Sequence, residues 1–281
     1  WPLVAFLPTL FPFKKSLENE KEPQWTTYAV CACCALFCCN CEQICVAAIM
    51  TWGMIVLYTY LQSKRINKLY CMLLLIAFAH LVFITTCPGN TARTASEITR
   101  LPSFEHFSFI RKIGLCIGSP IVKYMVVTWQ SLIVWAFSVI LPLTVFLKNK
   151  KAYIPLLVSL IPFGLLLFSF FKFDPVFTIL HETTAGQLAY ICTISVAFYG
   201  SIFFSLFYIG KDEESIIAKY APLFIFFVGF TTRACLGITI SFLEMARTFF
   251  LLEYAMIAIS IMFMTRHISN WTGKSKKVNL V

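Results

Sequence analysis

The stretch QICVAAIMTWGMIVLYTYL, residues 43–61, decides the fold of this chain. It carries no charged side chain, and it has the length of about 20 residues that a helix needs to cross the hydrocarbon layer of a bilayer. Similar apolar runs recur along the whole sequence. The 281 residues are 59% hydrophobic and 13% charged, which leaves too little polar surface to cover a globule in water. The lipid bilayer is therefore the expected surrounding of the chain.

Taking each apolar run as one crossing predicts eight helices, at residues 25–41, 43–61, 69–87, 121–147, 152–171, 186–209, 220–242 and 248–265. An apolar run at residues 1–13 is too short to span a bilayer and lacks the basic segment and cleavage site of a signal peptide. We interpret it as the end of an earlier helix, so an N-terminally truncated fragment is expected. No repeat or linker divides the chain. The predicted fold is all-α, a single polytopic transmembrane bundle over residues 1–281.

The basic residues predict the orientation of this bundle. Fifteen of the 23 Lys and Arg residues fall in the loops of one side, which the positive-inside rule assigns to the cytoplasm together with the C-terminal tail. The net charge of +10 is explained by these loop clusters, and no nucleic-acid-binding motif accompanies it. Nucleic acid is not an expected partner.

Polar residues that this topology places at the outer face are candidates for function, because charge at membrane depth is costly. Glu42 lies in the turn between the first two helices, and its alternative role is to cap the next helix at the positive end of the helix dipole. Asn90 and Arg93 follow Pro88 and Gly89, which end a helix and form a sharp turn. Arg93 could fork onto a phosphate or carboxylate there, or be a solvated residue after an ordinary helix stop.

Two longer outer segments are also candidates. The polar stretch at residues 94–112 is expected to lie on the membrane surface, with a disordered connector as the alternative. A second loop contains Asp174, His181 and Glu182, which offer a carboxylate and an imidazole for acid/base chemistry unless they are simply solvated. A zinc-protease motif that opens with His181 and Glu182 would need a second His at the position of Ala185, so no metal site is predicted.

Arg233 lies within the seventh predicted helix, past its midpoint toward the outer face, and Arg247 lies in the turn that follows. Arg233 is the most costly residue of the chain to bury, so we expect it to bind an anionic ligand or to pair with a carboxylate. Glu253 is the nearest candidate partner along the sequence. A purely structural ion pair is the alternative interpretation.

Cysteine is abundant in the first predicted helix. Cys31, Cys34, Cys38 and Cys41 form one helical stripe, and four thiolates along a straight helix cannot surround a metal ion. Small residues at a helix contact explain the stripe better. No metal and no cofactor are expected.

The order of these features resembles a bacterial family of polytopic membrane proteins of unknown function that is associated with surface-polysaccharide glucosyltransferases of the O-antigen-modifying kind. The resemblance covers roughly residues 25–263 and is carried by three motifs: the run Asn40, Cys41, Glu42, Gln43; the turn Pro88, Gly89, Asn90, Arg93; and the run Arg247, Thr248, Phe249, Phe250. Cys41 and Cys87 look like departures from the family pattern.

The resemblance implies a glycosyltransferase of the bacterial inner membrane that transfers sugar from a polyprenyl-phosphate-linked donor to a surface glycan, outside the cytoplasm. One carboxylate would activate the acceptor hydroxyl and cations would neutralise the departing phosphate. The site residues would be Glu42, Asp174 and Glu182 for catalysis, and Asn90, Arg93, His181, Arg233 and Arg247 for substrate binding. In the enzymes that it resembles, the catalytic carboxylate often lies in the first outer loop, which would precede Trp1.

Two rival functions use the same cations without chemistry: a transporter or flippase for an anionic lipid-linked sugar, and a non-catalytic membrane subunit. A transporter needs polar residues through the full depth of the membrane. The inner halves of the predicted helices are almost bare of charge, which favours an outward-facing enzyme.

Overall fold

The computed structural model of the chain describes residues 2–13, 23–89, 92, 95, 106–114, 117–118, 129–172, 185–235 and 250–271. Helix α1 (Pro2–Phe6) continues into a 3-10 helix, Leu7–Leu10. The helices that follow are α2 (Trp25–Cys38), α3 (Glu42–Ser63), α4 (Lys68–Thr86), α5 (Trp129–Lys148), α6 (Tyr153–Lys172), α7 (Ala185–Gly210), α8 (Ile216–Cys235) and α9 (Phe250–Trp271). No strand occurs in the described ranges, and the all-α fold class is confirmed.

Each of the eight predicted helices has a counterpart among α2 to α9, but three of the boundaries in the described ranges were wrong. Helix α8 begins at Ile216 instead of 220, because Lys219 lies within its first turn and does not precede it. Helix α9 runs on to Trp271 instead of ending at 265, because neither Pro nor Gly interrupts residues 265–271. Helix α2 ends at Cys38 instead of 41. The Asn40 side-chain amide donates to the Leu36 carbonyl at 3.1 Å and thereby satisfies one of the acceptors that a helix end leaves open.

The early end of α2 also corrects the predicted cysteine stripe. Cys41 is the N-cap residue of α3, with an extended backbone, and so it does not lie on the same helix as Cys31. In its place, Cys39 comes next to Cys38, with 4.0 Å between their sulfur atoms. Ten of the twelve cysteines are seen as free thiols, namely Cys31, Cys33, Cys34, Cys38, Cys39, Cys41, Cys45, Cys71, Cys87 and Cys192.

In the part of the chain that the structure describes, five helices are long and apolar enough to cross a membrane, namely α3, α4 and the segments Ser131–Lys148 of α5, Cys192–Gly210 of α7 and Ile216–Arg233 of α8. Trp25–Cys38 and Tyr153–Phe168 are shorter apolar helices. Large apolar side chains in the middle of these helices are exposed, such as Leu75 and Val196, each at 72%. Because such a surface is unfavourable in water, these helices are those of a multi-pass membrane protein.

The described helices divide into two compact units, one within Trp1–Ser96 and one within Glu97–Lys276. In the first, α1 packs against α2 and α3, α2 against α4, and α3 against α4. Thr9 holds these helices together at a buried position. The Trp52 indole donates to the Thr9 hydroxyl at 3.1 Å, and the Tyr70 hydroxyl donates to the Thr9 carbonyl at 2.9 Å.

In the second unit, five helices pack in a ring in which each contacts the next: α5, α6, α7, α8, α9 and back to α5, with a further contact between α5 and α7. The ring encloses an apolar core to which every one of these helices contributes. Its centre is aromatic, because Phe137 of α5 stacks on Phe226 of α8 and Tyr199 of α7 packs edge-on against Phe230. This core fixes the ends of α8 and α9, where the candidate site lies.

Candidate functional site

Helices α8 and α9 are antiparallel and their backbones nearly touch at Gly229. A Cβ atom at that position would lie 3.0 Å from the Ala255 Cβ and 3.1 Å from the Leu252 Cα. Small residues permit such close approach of membrane helices, and the contact holds this helix pair in a fixed register. At the opposite end of the pair, the Arg266 guanidinium contacts Glu213 and the Ala218 carbonyl.

Arg233 and Glu253 lie at the end of the pair that is remote from Arg266. Arg233 follows Gly229 by one helical turn on the same face, and Glu253 lies next to Leu252 on α9. Side chains on a helix point toward its N-terminus, so in an antiparallel pair these two lean toward one another. The structure thus brings both candidates to one end of one helix pair, while their direct ion pair stays a prediction.

Both side chains are almost fully buried, Arg233 at 2% exposure and Glu253 at 6%. Burying an arginine and a carboxylate away from water costs several kcal/mol for each ion unless opposite charge and hydrogen bonds compensate. The position of Glu253 in the first turn of α9 adds the favourable field of the helix N-terminus. An apolar helix pair that keeps two charges at such cost is a candidate functional site.

Glu42, the candidate of the first unit, is the first residue of α3 and is half-buried. Its N-cap residue, Cys41, makes no side-chain capping hydrogen bond, so the Glu42 carboxylate is the acidic group that meets the dipole of α3. This position agrees with the capping alternative. Its catalytic role stays a prediction.

The other predicted site residues lie outside the described ranges, namely Asn90, Arg93, Asp174, His181, Glu182 and Arg247. The helix stop before Pro88 is confirmed, but the predicted sharp turn at Pro88 and Gly89 was wrong, because both residues are helical and Gly89 does not adopt a left-handed backbone. Helix α4 ends at Thr86, and Cys87 has the extended backbone that a following proline imposes.

Part of the segment predicted to lie on the membrane surface is described, at residues 106–114. Residues 109–114 are helical, and the Ser108 hydroxyl accepts a hydrogen bond from the Arg111 backbone N–H at 3.3 Å. The Arg111 guanidinium lies 3.8 Å above the Phe107 ring. Phe109 and Ile110 are exposed at 66% and 81%. The position of this segment on the membrane surface stays a prediction.

Sequence reasoning treated Lys148 and Arg266 only as markers of topology, but each makes specific contacts. The Lys148 ammonium donates to the carbonyls of Tyr208 at 2.9 Å and Ile209 at 2.7 Å, which closes the C-terminal end of α7. It also pairs with the Asp212 carboxylate at 2.9 Å. The sequence signals for this cluster were a lysine in the last turn of one helix and a run of three acidic residues, Asp212 to Glu214, in the α7–α8 loop.

The short α7–α8 loop is held from two sides, because Arg266 of α9 pairs with the neighbouring Glu213 at 3.0 Å. The hydrogen bond from Lys148 is the main cause that lowers the pKa of Asp212 below its ordinary value, and Lys211 and Lys219 lower it further. A depressed pKa means that the contribution of Asp212 to stability is present above about pH 4 and is lost only as the pH falls through the lowered value.

Among the described residues, no group of three or more His, Cys, Asp or Glu side chains could hold a metal ion. No protein-family model, no curated protein and no solved structure matches the chain. The geometry of the α8–α9 pair and of the α7–α8 loop is therefore the basis for a functional proposal.

Proposed function

We propose that the chain is a glycosyltransferase-like protein of the bacterial inner membrane that uses a polyprenyl-phosphate-linked sugar donor at its non-cytoplasmic face to modify a surface glycan. The observation that carries the proposal is the pair of buried charges, Arg233 and Glu253, at one end of an apolar helix pair. The Arg233 guanidinium is suited to bind the phosphate of a lipid-linked sugar, because its N–H groups form a fork that matches two phosphate oxygens.

In the proposed reaction, the acceptor hydroxyl oxygen forms a bond to the anomeric carbon of the sugar while the bond from that carbon to the phosphate oxygen breaks. Arg233, with Arg93 and Arg247, neutralises the charge of the departing polyprenyl phosphate. The hydroxyl proton passes to a carboxylate, for which Glu42, Asp174 and Glu182 are the candidates. Asn90 and His181 are proposed to contact the substrate, and Glu253 to orient the guanidinium of Arg233.

A transporter for the same lipid-linked sugar is the rival, and the buried hydroxyls of the second unit argue against it. They could line a polar path through the helix ring, but those with described hydrogen bonds donate to carbonyls of their own helices. The bonds run from Ser138 to Val134, Thr144 to Ile140, Ser159 to Leu156, Ser201 to Phe198, Ser205 to Ser201 and Thr232 to Gly229. A hydroxyl has one O–H donor, so a hydroxyl that donates to a backbone carbonyl has no donor left for an anionic substrate.

The charges at the other end of the ring also fit an outward-facing enzyme better than a transport path. Lys148 is bonded to Asp212 and Arg266 to Glu213, so these groups close the α7–α8 loop. The positive-inside rule assigns that end, and the C-terminus, to the cytoplasm. Arg233 would then lie in the outer half of the membrane.

The proposal predicts that Arg233→Met weakens binding of a short-chain polyprenyl-phosphate glucose to the purified full chain by at least about thirtyfold. One hydrogen bond to a charged group is worth about 2 kcal/mol, which corresponds to about thirtyfold, and a second bond of the guanidinium fork would add to this. Arg233→Lys should lose less, because it keeps the charge. Lys150→Met, at an exposed turn, is the matched control and should bind like the wild type.

A second measurement, the release of polyprenyl phosphate in the presence of membrane glycan, distinguishes a glycosyltransferase from a flippase. An enzyme cleaves the donor in proportion to added acceptor, and Arg233→Met removes that cleavage. A flippase would move the donor across a vesicle membrane without cleaving it. Equal binding by wild type and Arg233→Met, with both folded, would contradict the phosphate role of Arg233.

A further inference from the structure

The junction between α7 and α8 places aromatic rings beside lysines. The ring of Tyr208, in the last turn of α7, lies 4.6 Å from the Lys211 ammonium and 5.3 Å from that of Lys148. On the other side of the loop, the Lys219 ammonium lies 5.5 Å from the ring of Tyr220. Tyrosine next to lysine at the end of a membrane helix is typical of the level of lipid headgroups.

Gly210 brings the two sides of this junction together. A Cβ atom on Gly210 would lie 3.0 Å from the carbonyl carbon of Lys219, so the end of α7 contacts the first turn of α8. Lys211 directly follows Gly210 in the chain. The two lysines are thus held at one place by a backbone contact and not only by flexible side chains.

The three lysines of this junction differ in their counter-charges. Lys148 is engaged by Asp212 and by two carbonyls. Within the described part of the chain, neither Lys211 nor Lys219 forms an ion pair. Asp212, Glu213 and Glu214 balance three of the four positive charges of Lys148, Lys211, Lys219 and Arg266, so the junction keeps a surplus of one positive charge at the membrane surface.

We propose that the α7–α8 junction binds the headgroup of an anionic phospholipid, with Lys211 and Lys219 at the phosphate and the rings of Tyr208 and Tyr220 beside the upper part of the lipid. The ligand is a lipid and not free phosphate because the two ammonium groups stand beside rings that favour the headgroup level. Lys148 contributes by holding the loop in place. The site is separate from the Arg233 site and does not depend on the proposed function.

The test compares lipid binding by the full chain, purified in detergent with equal amounts of phosphatidylglycerol and phosphatidylcholine, using native mass spectrometry. We expect the wild type to retain phosphatidylglycerol in preference. Lys211→Gln alone should lower that preference about fivefold, and the double variant Lys211→Gln/Lys219→Gln about twenty-five-fold, since each lysine near an anionic surface contributes similarly.

The matched control is Lys150→Gln/Lys151→Gln, which removes the same two charges from the exposed α5–α6 turn. It should keep the preference of the wild type. An equal loss in both double variants would show a diffuse charge effect and overturn the proposal, and so would a wild type without preference. Inorganic phosphate that binds without lipid and displaces phosphatidylglycerol would overturn the assignment to a lipid.

Discussion

Gly210→Ala is expected to lower the free energy of unfolding by about 3 kcal/mol, at the upper end of what overpacking costs. The added methyl group would collide with the Lys219 carbonyl oxygen and lie 3.4 Å from the Lys219 Cα. These are backbone atoms of α8 and cannot rotate away as a side chain could. The loop that Lys148 and Arg266 hold would have to open for α7 and α8 to separate.

Gly200→Ala is the control for this experiment, because it lies in the same helix with nothing within 4 Å of the added Cβ. Helix propensity alone should make it neutral or stabilising by up to about 1 kcal/mol. Denaturant titration of both variants in detergent micelles measures the difference. Equal stability of the two variants would contradict a close backbone contact between Gly210 and Lys219.

The second large effect is expected at the pair of buried charges. Arg233→Met or Glu253→Met should each lower the stability by about 3 to 5 kcal/mol if the two side chains compensate one another, because each change strands a buried charge. The double variant should then be more stable than the sum of the single effects predicts. Unfolding titrations of all four proteins give the coupling energy.

A coupling energy above about 1 kcal/mol would support the pair that the sequence predicts. Thr232→Val is the control, because Thr232 is next to Arg233 and equally buried. Its hydroxyl donates to the Gly229 carbonyl of its own helix, so it has no reason to interact with Glu253. It should show no coupling to Glu253→Met. Additive effects of Arg233 and Glu253 would mean that each charge is compensated by a different group.

The helices of this chain were predictable because charge and turn residues mark their ends. Helix α3 is bounded by Glu42 at its start and by Lys64 after its last residue, and Lys64 has the only positive φ of a non-glycine residue in the described ranges, at 55°. Pro88 ended α4 in the same predictable way. Such signals are local and can be read from a few neighbouring residues.

The packing partners were not predictable in this way. In a bilayer the lipid-facing and core-facing sides of a helix are both apolar, so periodicity does not show which face is buried. The hydrogen bonds of Thr9 with Trp52 and Tyr70 join distant parts of the chain. Only the cost of burying Arg233 and Glu253 was apparent without the structure.

The α7–α8 cluster was missed for a related reason. The positive-inside rule considers only the charge of Lys148 and Arg266 and not the groups that their long side chains contact. Lys148 caps a helix that is separate from it by about 60 residues of sequence, and Arg266 reaches the acidic residue next to the one that Lys148 binds. One cation can both set the orientation of the chain in the membrane and cap the C-terminal end of a helix. The sequence alone does not show which of these two roles a given lysine or arginine has.

Labelling of single added cysteines in intact cells tests most directly whether the Lys148 end of the ring faces the cytoplasm and the Arg233 end faces outward. His106→Cys lies in the exposed segment on the predicted outer side, and Asn149→Cys lies in the exposed α5–α6 turn. The parent chain gives the background from native thiols. A membrane-impermeant maleimide should label His106→Cys in intact cells and Asn149→Cys only after lysis. Labelling of Asn149→Cys in intact cells, with His106→Cys protected, would contradict the proposed orientation and the outward-facing site with it.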